Sequence, residues 1–233
     1  MHPLDRLIIA LDVPSQAEAL SLVERLDGAV RWVKVGLELF IAEGPGVVEA
    51  LLARDLRVFL DLKLHDIPNT VAAAVRVAGA TGAQMLTVHA SGGPAMLRAA
   101  AEAAPAGLHL LGVTVLTSMD EGELSATGVA GAVGPQVKRL AQLAMAAGVP
   151  GLVCSSQEIG LLRSDPARAA RLVVPGIRPA GYGADDQSRT ATAADAIRMG
   201  ADMLVVGRPV TRAANPAEAA RALLKEIEQE SAE

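Results

Sequence analysis

Short apolar runs rich in β-branched residues alternate with alanine-rich stretches of helical spacing from one end of the chain to the other. The runs fall at 7–13, 32–39, 57–63, 85–90, 109–116, 151–155, 171–175 and 203–207, giving eight candidate strands. Continuous apolar runs of this length suit parallel strands covered by helices. Between them the spacing turns helical, as at Ala19, Leu22, Val23 and Leu26, and at Val137, Leu140, Ala141 and Ala144. Ser15 with Glu18 and Ser155 with Glu158 fit capping boxes, and Asn215-Pro216 with Glu218 adds proline at a first helical position. Gly28, Gly82, Gly148 and Gly200 mark helix ends just before strands. Eight strand–helix repeats in 233 residues predict an α/β protein, a single-domain (β/α)8 TIM barrel over 1–233. An open doubly wound sheet would carry a glycine-rich fingerprint after its first strand, where this chain has Asp12-Val-Pro-Ser15.

Composition narrows the picture. The chain is 51% hydrophobic but only 2% aromatic, so its core is aliphatic. A net charge of −5 argues against a nucleic-acid polymer or an anionic membrane as partner, though a small phosphorylated ligand remains compatible. No apolar run approaches the roughly 20 residues of a membrane span, and no targeting pattern opens the chain. The expected location is the cytoplasm. Cys154 is the one cysteine, which excludes an intrachain disulfide and a multi-cysteine metal site; its apolar setting reads as a buried thiol.

The position of the polar residues carries the chemistry. In a parallel barrel the active site forms at the C-terminal ends of the strands. Asp12, Lys34, Asp61, Lys63, His89, Thr114, Thr117, Arg178 and Gly207-Arg208 all lie in or just after candidate strands. The chain has only four lysines, Lys34, Lys63, Lys138 and Lys225, so two of them sit inside apolar runs. A lysine within Val33-Lys-Val-Gly36 must be met by partners, of which Asp61 and Asp12 are candidates. Asp61 and Lys63 are two apart in a strand and so share a face, with Asp66 just beyond. Such a wall of acid, base and acid suits a reaction that expels a carboxylate and then needs a proton. The acid raises the ground state and the ammonium protonates the carbanion. After strands seven and eight, Pro175-Gly-Ile-Arg178 and Gly207-Arg208 supply two guanidiniums and a close backbone approach for phosphate. The glycine-bearing polar stretch 176–189 reads as a lid.

These residues resemble the orotidine 5'-monophosphate decarboxylases. The similarity runs through Ala10-Leu-Asp12, Lys34-Val-Gly36, Asp61-Leu-Lys63-Leu-His-Asp66-Ile-Pro-Asn-Thr70, Val113-Thr-Val-Leu-Thr117-Ser, Pro175-Gly-Ile-Arg178-Pro and Val206-Gly-Arg208. The resemblance implies decarboxylation of orotidine 5'-monophosphate to UMP, the last step of de novo pyrimidine biosynthesis, without metal or organic cofactor. It implies that Lys63 protonates C6 and that Lys34, Asp61, Lys63 and Asp66 form an alternating charge network. Asp66 and Thr70 would come from the other subunit of a homodimer with shared sites. Asp12 and Lys34 would meet the ribose hydroxyls, and Thr117 would lie near the pyrimidine. Arg178, Gln187, Gly207 and Arg208 would hold the phosphate, with Gln187 on the lid. His89 has a suitable position but no implied role.

Three other readings compete. Magnesium-dependent sugar-phosphate decarboxylases and synthases of the same barrel superfamily share D-x-K-x-x-D, but Lys34 would repel a divalent cation. A Schiff-base aldolase needs Lys63 neutral, which Asp61 and Asp66 beside it oppose. A barrel that only binds a nucleotide monophosphate could keep Arg178 and Arg208 while losing Asp61 or Lys63, yet both are present.

Overall fold

The computed structural model describes residues 1–164, 166–179 and 190–231. Eight parallel strands follow one another around a closed barrel. They are β1 (Leu7–Ala10), β2 (Trp32–Val35), β3 (Arg57–Leu64), β4 (Met85–His89), β5 (His109–Val113), β6 (Gly151–Val153), β7 (Arg171–Val174) and β8 (Met203–Val206). Closure sets β1 against β8, with Ile8 opposite Val205. The outer layer holds α1 (Gln16–Arg25), α2 (Leu37–Glu43), α3 (Gly46–Leu52), α4 (Pro68–Ala80), α5 (Gly93–Ala103), α6 (Glu121–Ala126), α7 (Val133–Ala146), α8 (Ile159–Arg163), α9 (Ala193–Arg198), α10 (Arg208–Thr211) and α11 (Pro216–Ser231). This is the (β/α)8 TIM barrel that the repeat pattern predicts.

The period of two along each strand builds two cores. Leu7, Ile9, Val33, Val35, Leu204 and Val206 belong to the shell between strands and helices. Ile8, Ala10, Trp32, Phe59, Met85, Leu111, Val173, Met203 and Val205 fill the barrel interior. Phe59 and Trp32 both lie there, so much of the chain's scarce aromatic volume plugs the centre. The interior is a packed core, as aliphatic barrels require.

The strands are shorter than the apolar runs. The second was expected to reach residue 39 but ends at Val35, where Gly36 caps α2. Within α2 only Leu39 is buried, so its apolar residues follow helical rather than strand spacing. Beyond Ala10 and Val113, Leu11 and Val115 stay buried as loop residues. Helix starts follow the expected chemistry in part. Ser15 Oγ accepts the Glu18 N–H at 3.3 Å, but the Glu18 carboxylate meets the Ser15 hydroxyl rather than its backbone. Asn215 Oδ1 accepts the Glu218 N–H at 3.2 Å. At Gly200 the backbone adopts φ +109°, open to glycine, and the Gly200 carbonyl accepts from Arg163.

The N-terminal mouth of the barrel is sealed by polar contacts far from the predicted site. Arg6 donates to the carbonyls of Ala201 and Asp202. The Asp202 carboxylate accepts from Arg163 and from the Leu172 N–H. Burial lowers the pKa of Arg6 while Asp202 opposes the shift.

Gly151, the first residue of β6, has no room for a side chain. A Cβ there would meet the Leu111 side chain and lie 3.3 Å from the backbone oxygens of Leu110 and Arg171. Gly151→Ala should lower the unfolding free energy by about 1–3 kcal/mol, read from urea unfolding. Undiminished stability would mean that Leu111 repacks freely.

Candidate active site

At the C-terminal mouth the inward positions turn polar. A cavity of about 380 Å³ opens there, lined by Asp12, Lys34, Asp61 and Lys63 from β1 to β3 and by Arg178, Gly207, Arg208 and Arg212 after β7 and β8. Thr117 lines it too, with Phe59, Val153 and Val205 forming an apolar floor.

Lys34 is the inward residue after Trp32 on β2 and is only 8% exposed. Its Nζ donates to Asp12 Oδ1 at 2.9 Å and lies 3.6 Å from Asp61 Oδ2. Gly36 makes room for this pair, since a Cβ there would sit 3.0 Å from Lys34 Nζ and 3.2 Å from Asp12 Oδ1. Lys63 Nζ donates to Asp61 Oδ1 at 2.8 Å. The result is a chain of alternating charge, Asp12, Lys34, Asp61 and Lys63. Burial pushes the Asp61 pKa up, but Lys34, Lys63 and the hydroxyl of Thr87 outweigh it and hold the carboxyl below its ordinary value.

Asp61 and Lys63 converge on one another, though not by regular strand geometry. Between Leu60↔Leu86 and Leu64↔Val88, β3 advances four residues while β4 advances two. Lys63 takes φ +48° within this bulge, a left-handed conformation that costs roughly 1–2 kcal/mol for a residue with a side chain. Bulges of this kind re-aim a side chain. Thr87 sits opposite the arc, fully buried, and sequence reasoning missed it. It accepts the Lys63 N–H at 2.8 Å and donates to Asp61 Oδ1 at 3.0 Å. A threonine inside Met85-Leu-Thr-Val-His89 reads as an ordinary strand former, and no motif flags it.

The remaining predicted residues divide. Arg178 is nearly buried after β7, where Ile177 pairs with Ala191 and the Arg178 N–H donates to the Ala191 carbonyl at 2.9 Å. Gly207 caps the short α10, whose Arg208 and Thr211, with Arg212 just past its end, reach the cavity. Thr211 and Arg212 were not anticipated; their place one turn past Gly207-Arg208 is the signal that could have found them. Thr114 turns away and donates to the Val153 carbonyl at 3.0 Å. Asp66 and Thr70 are exposed at the start of α4 and do not line this chain's cavity; Asp66 Oδ1 accepts the Ile67 N–H at 2.6 Å. Gln187 and most of the expected lid fall at 180–189, outside the described residues. His89 is half-buried with its ring 5.5 Å from that of His65. Burial, His65 and Lys63 together lower its pKa, which keeps a further positive charge from the Lys63 side of the site. Among the described residues no three His, Cys, Asp or Glu side chains gather into a metal-binding group.

The chain is similar to known proteins over nearly its whole length. Residues 5–223 match the family model described as Orotidine 5'-phosphate decarboxylase / HUMPS family. The chain is 51% identical over 223 residues to an orotidine 5'-phosphate decarboxylase of Anaeromyxobacter sp. (strain K), covering 96% of this chain and 98% of that one. The solved structure of orotidine 5'-phosphate decarboxylase from Lactobacillus acidophilus superposes with a TM-score of 0.86 at 35% identity, covering 96% and 99% of the two chains. That from Pyrococcus horikoshii OT3 gives 0.79 at 26% identity, covering 95% and 99%.

Asp61 ties acid stability to the site. Its folded pKa lies below the ordinary value of 3.8, so its ionised form contributes stability in full above that value. The contribution is lost as pH falls through the lower, folded value. Asp61→Asn leaves Lys34 and Lys63 without their shared counter-charge and should cost about 3–5 kcal/mol at neutral pH. Urea unfolding should show this gap constant down to about pH 5 and narrowing below about pH 4. A gap that persists unchanged at about pH 3 would contradict the assignment.

Proposed function

The chain belongs to the orotidine 5'-phosphate decarboxylase / HUMPS family and converts orotidine 5'-monophosphate to UMP in pyrimidine biosynthesis, and from that premise we propose how its residues do so. The observation that carries the reading is the charge chain Asp12, Lys34, Asp61 and Lys63 lining one cavity together with three arginines. Arg178, Arg208 and Arg212 with the Gly207 backbone hold the phosphate, joined by Gln187 from the segment beyond Arg178. Asp12 and Lys34 hold the ribose hydroxyls, Thr117 lies beside the pyrimidine, and the apolar floor excludes water. The substrate carboxylate then sits beside Asp61.

Repulsion between the two carboxylates raises the bound ground state, and the fixed ammonium of Lys63 favours the carbanion. The bond from C6 to the carboxylate breaks, CO2 departs, and the electron pair stays on C6. Lys63 Nζ delivers its proton to C6, leaving a neutral amine that solvent reprotonates. Binding energy from the remote phosphate orients the ring for this step. No metal or organic cofactor is required. The Lys34 ammonium lies between Asp12 and Asp61, where it would repel a divalent cation. The substrate is a charged nucleotide that does not cross bilayers unaided, and no described helix is long and apolar enough to span one. The cytoplasm is the proposed location of the reaction, since a charged nucleotide stays in the compartment in which it is made.

The working unit is a homodimer with shared sites. Asp66 and Thr70 are exposed and lie outside the cavity of their own subunit, which leaves both free to complete the site of the other. Ile67 and Val77 in the same region are 67% and 69% exposed, and Leu37 and Ile41 of α2 are 50% and 79% exposed. Apolar exposure of this kind on α2 and α4 suits a buried interface.

Turnover of orotidine 5'-monophosphate should persist in excess EDTA, followed by ultraviolet absorbance, and Lys63→Ala should lower kcat/KM by at least about a thousandfold. Loss of wild-type turnover in chelator would point to the magnesium chemistry instead. The shared site predicts subunit complementation. Inactive Lys63→Ala and Asp66→Asn dimers, unfolded and refolded as an equal mixture, should regain about a quarter of wild-type activity, since half the dimers carry one intact site. A mixture as inactive as its components would place Asp66 in its own subunit's site.

A further inference from the structure

We propose that Thr87 is a positioning residue for the decarboxylation, its buried hydroxyl locking the Lys63 backbone and the Asp61 carboxylate into one rigid unit. The inference rests on Lys63 as the proton donor.

The directions of the hydrogen bonds are fixed by chemistry. The Lys63 amide can only donate and the Asp61 carboxylate only accept, so the Thr87 hydroxyl must accept from the first at 2.8 Å and donate its one proton to the second at 3.0 Å. Asp61 Oδ1 also accepts from Lys63 Nζ at 2.8 Å. The contacts therefore close a ring: Thr87 Oγ1 to Asp61 Oδ1, on to Lys63 Nζ, along the lysine to its own N–H, and back to Thr87. Lys63 is gripped at both ends.

The grip matters because the backbone between is irregular. Thr87 is the single β4 residue facing the three-residue arc Asp61-Leu62-Lys63, so its side chain takes the amide that a regular ladder would give to a carbonyl. Lys63 holds φ +48° there, a conformation that persists only when surroundings over-determine it. Relaxation of that torsion would swing Nζ, at the far end of the side chain, away from the substrate carbon. A misplacement of about 1 Å in a reacting group costs on the order of a hundredfold in rate. An isosteric apolar side chain would fill the same space, so packing alone does not call for the hydroxyl.

Asp61 faces Lys34 from β2, Lys63 from β3, Thr87 and His89 from β4, and Asp12 beyond Lys34. Of these, the Thr87 hydroxyl favours the carboxylate form, and its removal should raise the Asp61 pKa.

The test compares wild type, Thr87→Val, Thr87→Ser and Lys63→Ala on orotidine 5'-monophosphate, with folding checked by circular dichroism. Thr87→Val should lose roughly 10- to 100-fold in kcat with KM changed less than about threefold. The acid limb of its kcat–pH profile should move to higher pH. Thr87→Ser should recover most of the rate and return the limb. Wild-type kcat with an unmoved limb in Thr87→Val, a loss confined to KM, or Thr87→Ser as impaired as Thr87→Val would each overturn the proposal. Should Thr87→Val not fold, Thr87→Cys, of similar size with a weaker donor, carries the same comparison against Thr87→Ser. A wild type inert toward the substrate would overturn the functional reading beneath, a result distinct from an active wild type with an unimpaired Thr87→Val.

Discussion

One carboxylate holds two lysines at the mouth of an otherwise apolar barrel, and most of the site follows from that. Lys34 is almost fully buried, and an ammonium in such a place is stable only beside a fixed counter-charge. Asp61 supplies it, yet a single carboxylate between two ammoniums leaves an excess positive charge, which Asp12 removes from the far side. The remaining lone pair of Asp61 Oδ1 is met by Thr87, and Gly36 leaves the space in which Lys34 and Asp12 meet. Each partner exists because the one before it would otherwise be a buried, unbalanced group. Removing any member exposes the cost of the next, so the chain of charge acts as a unit.

The barrel separates this unit from what stabilises it. Inward positions toward the middle and N-terminal end are large and apolar, with Trp32, Phe59, Met85 and Leu111 packed across the axis. The N-terminal mouth is tied by Arg6, Arg163 and Asp202, none of which lines the active-site cavity. One step further along the same strands, Lys34 follows Trp32 and Asp61 follows Phe59 on the inward face. The same alternation that builds the core thus delivers the charged side chains to a single layer above it.

Much of this was legible in the chain. The strand count, the barrel and the convergence of Lys34, Asp61 and Lys63 come from period-two spacing and from lysines placed where apolar residues belong. The ends of the strands were not legible, because Leu37 and Leu39 continue an apolar run that the backbone breaks at Gly36. The bulge in β3 was hidden for a different reason. Sequence spacing places Asp61 and Lys63 on one face in a flat strand, and the actual structure reaches the same convergence through an arc and a left-handed Lys63. Thr87 could not be seen because its role depends on that arc. Asp66 and Thr70 carry a strong motif, yet both are exposed at the start of α4 and neither lines the cavity, so the motif by itself did not say where they would stand.

The two groups of residues in the cavity differ in net charge, and on the proposed reading they differ in what they give a bound nucleotide. The wall from β1 to β3 is close to neutral in sum, with two carboxylates and two ammoniums already paired, so it offers an anionic ligand little net attraction. The wall after β7 and β8 brings Arg178, Arg208 and Arg212, and it is there that a phosphate gains most. A chain with net charge −5 can therefore draw in a nucleotide through local field rather than overall charge. Because every charge on the first wall is paired in the structure, its field would need no reorganisation if, as proposed, the substrate carboxylate sits beside Asp61. On the proposed mechanism most of the affinity enters at the arginines, and the pre-set charges of β2 and β3 turn it into strain and protonation at one carbon.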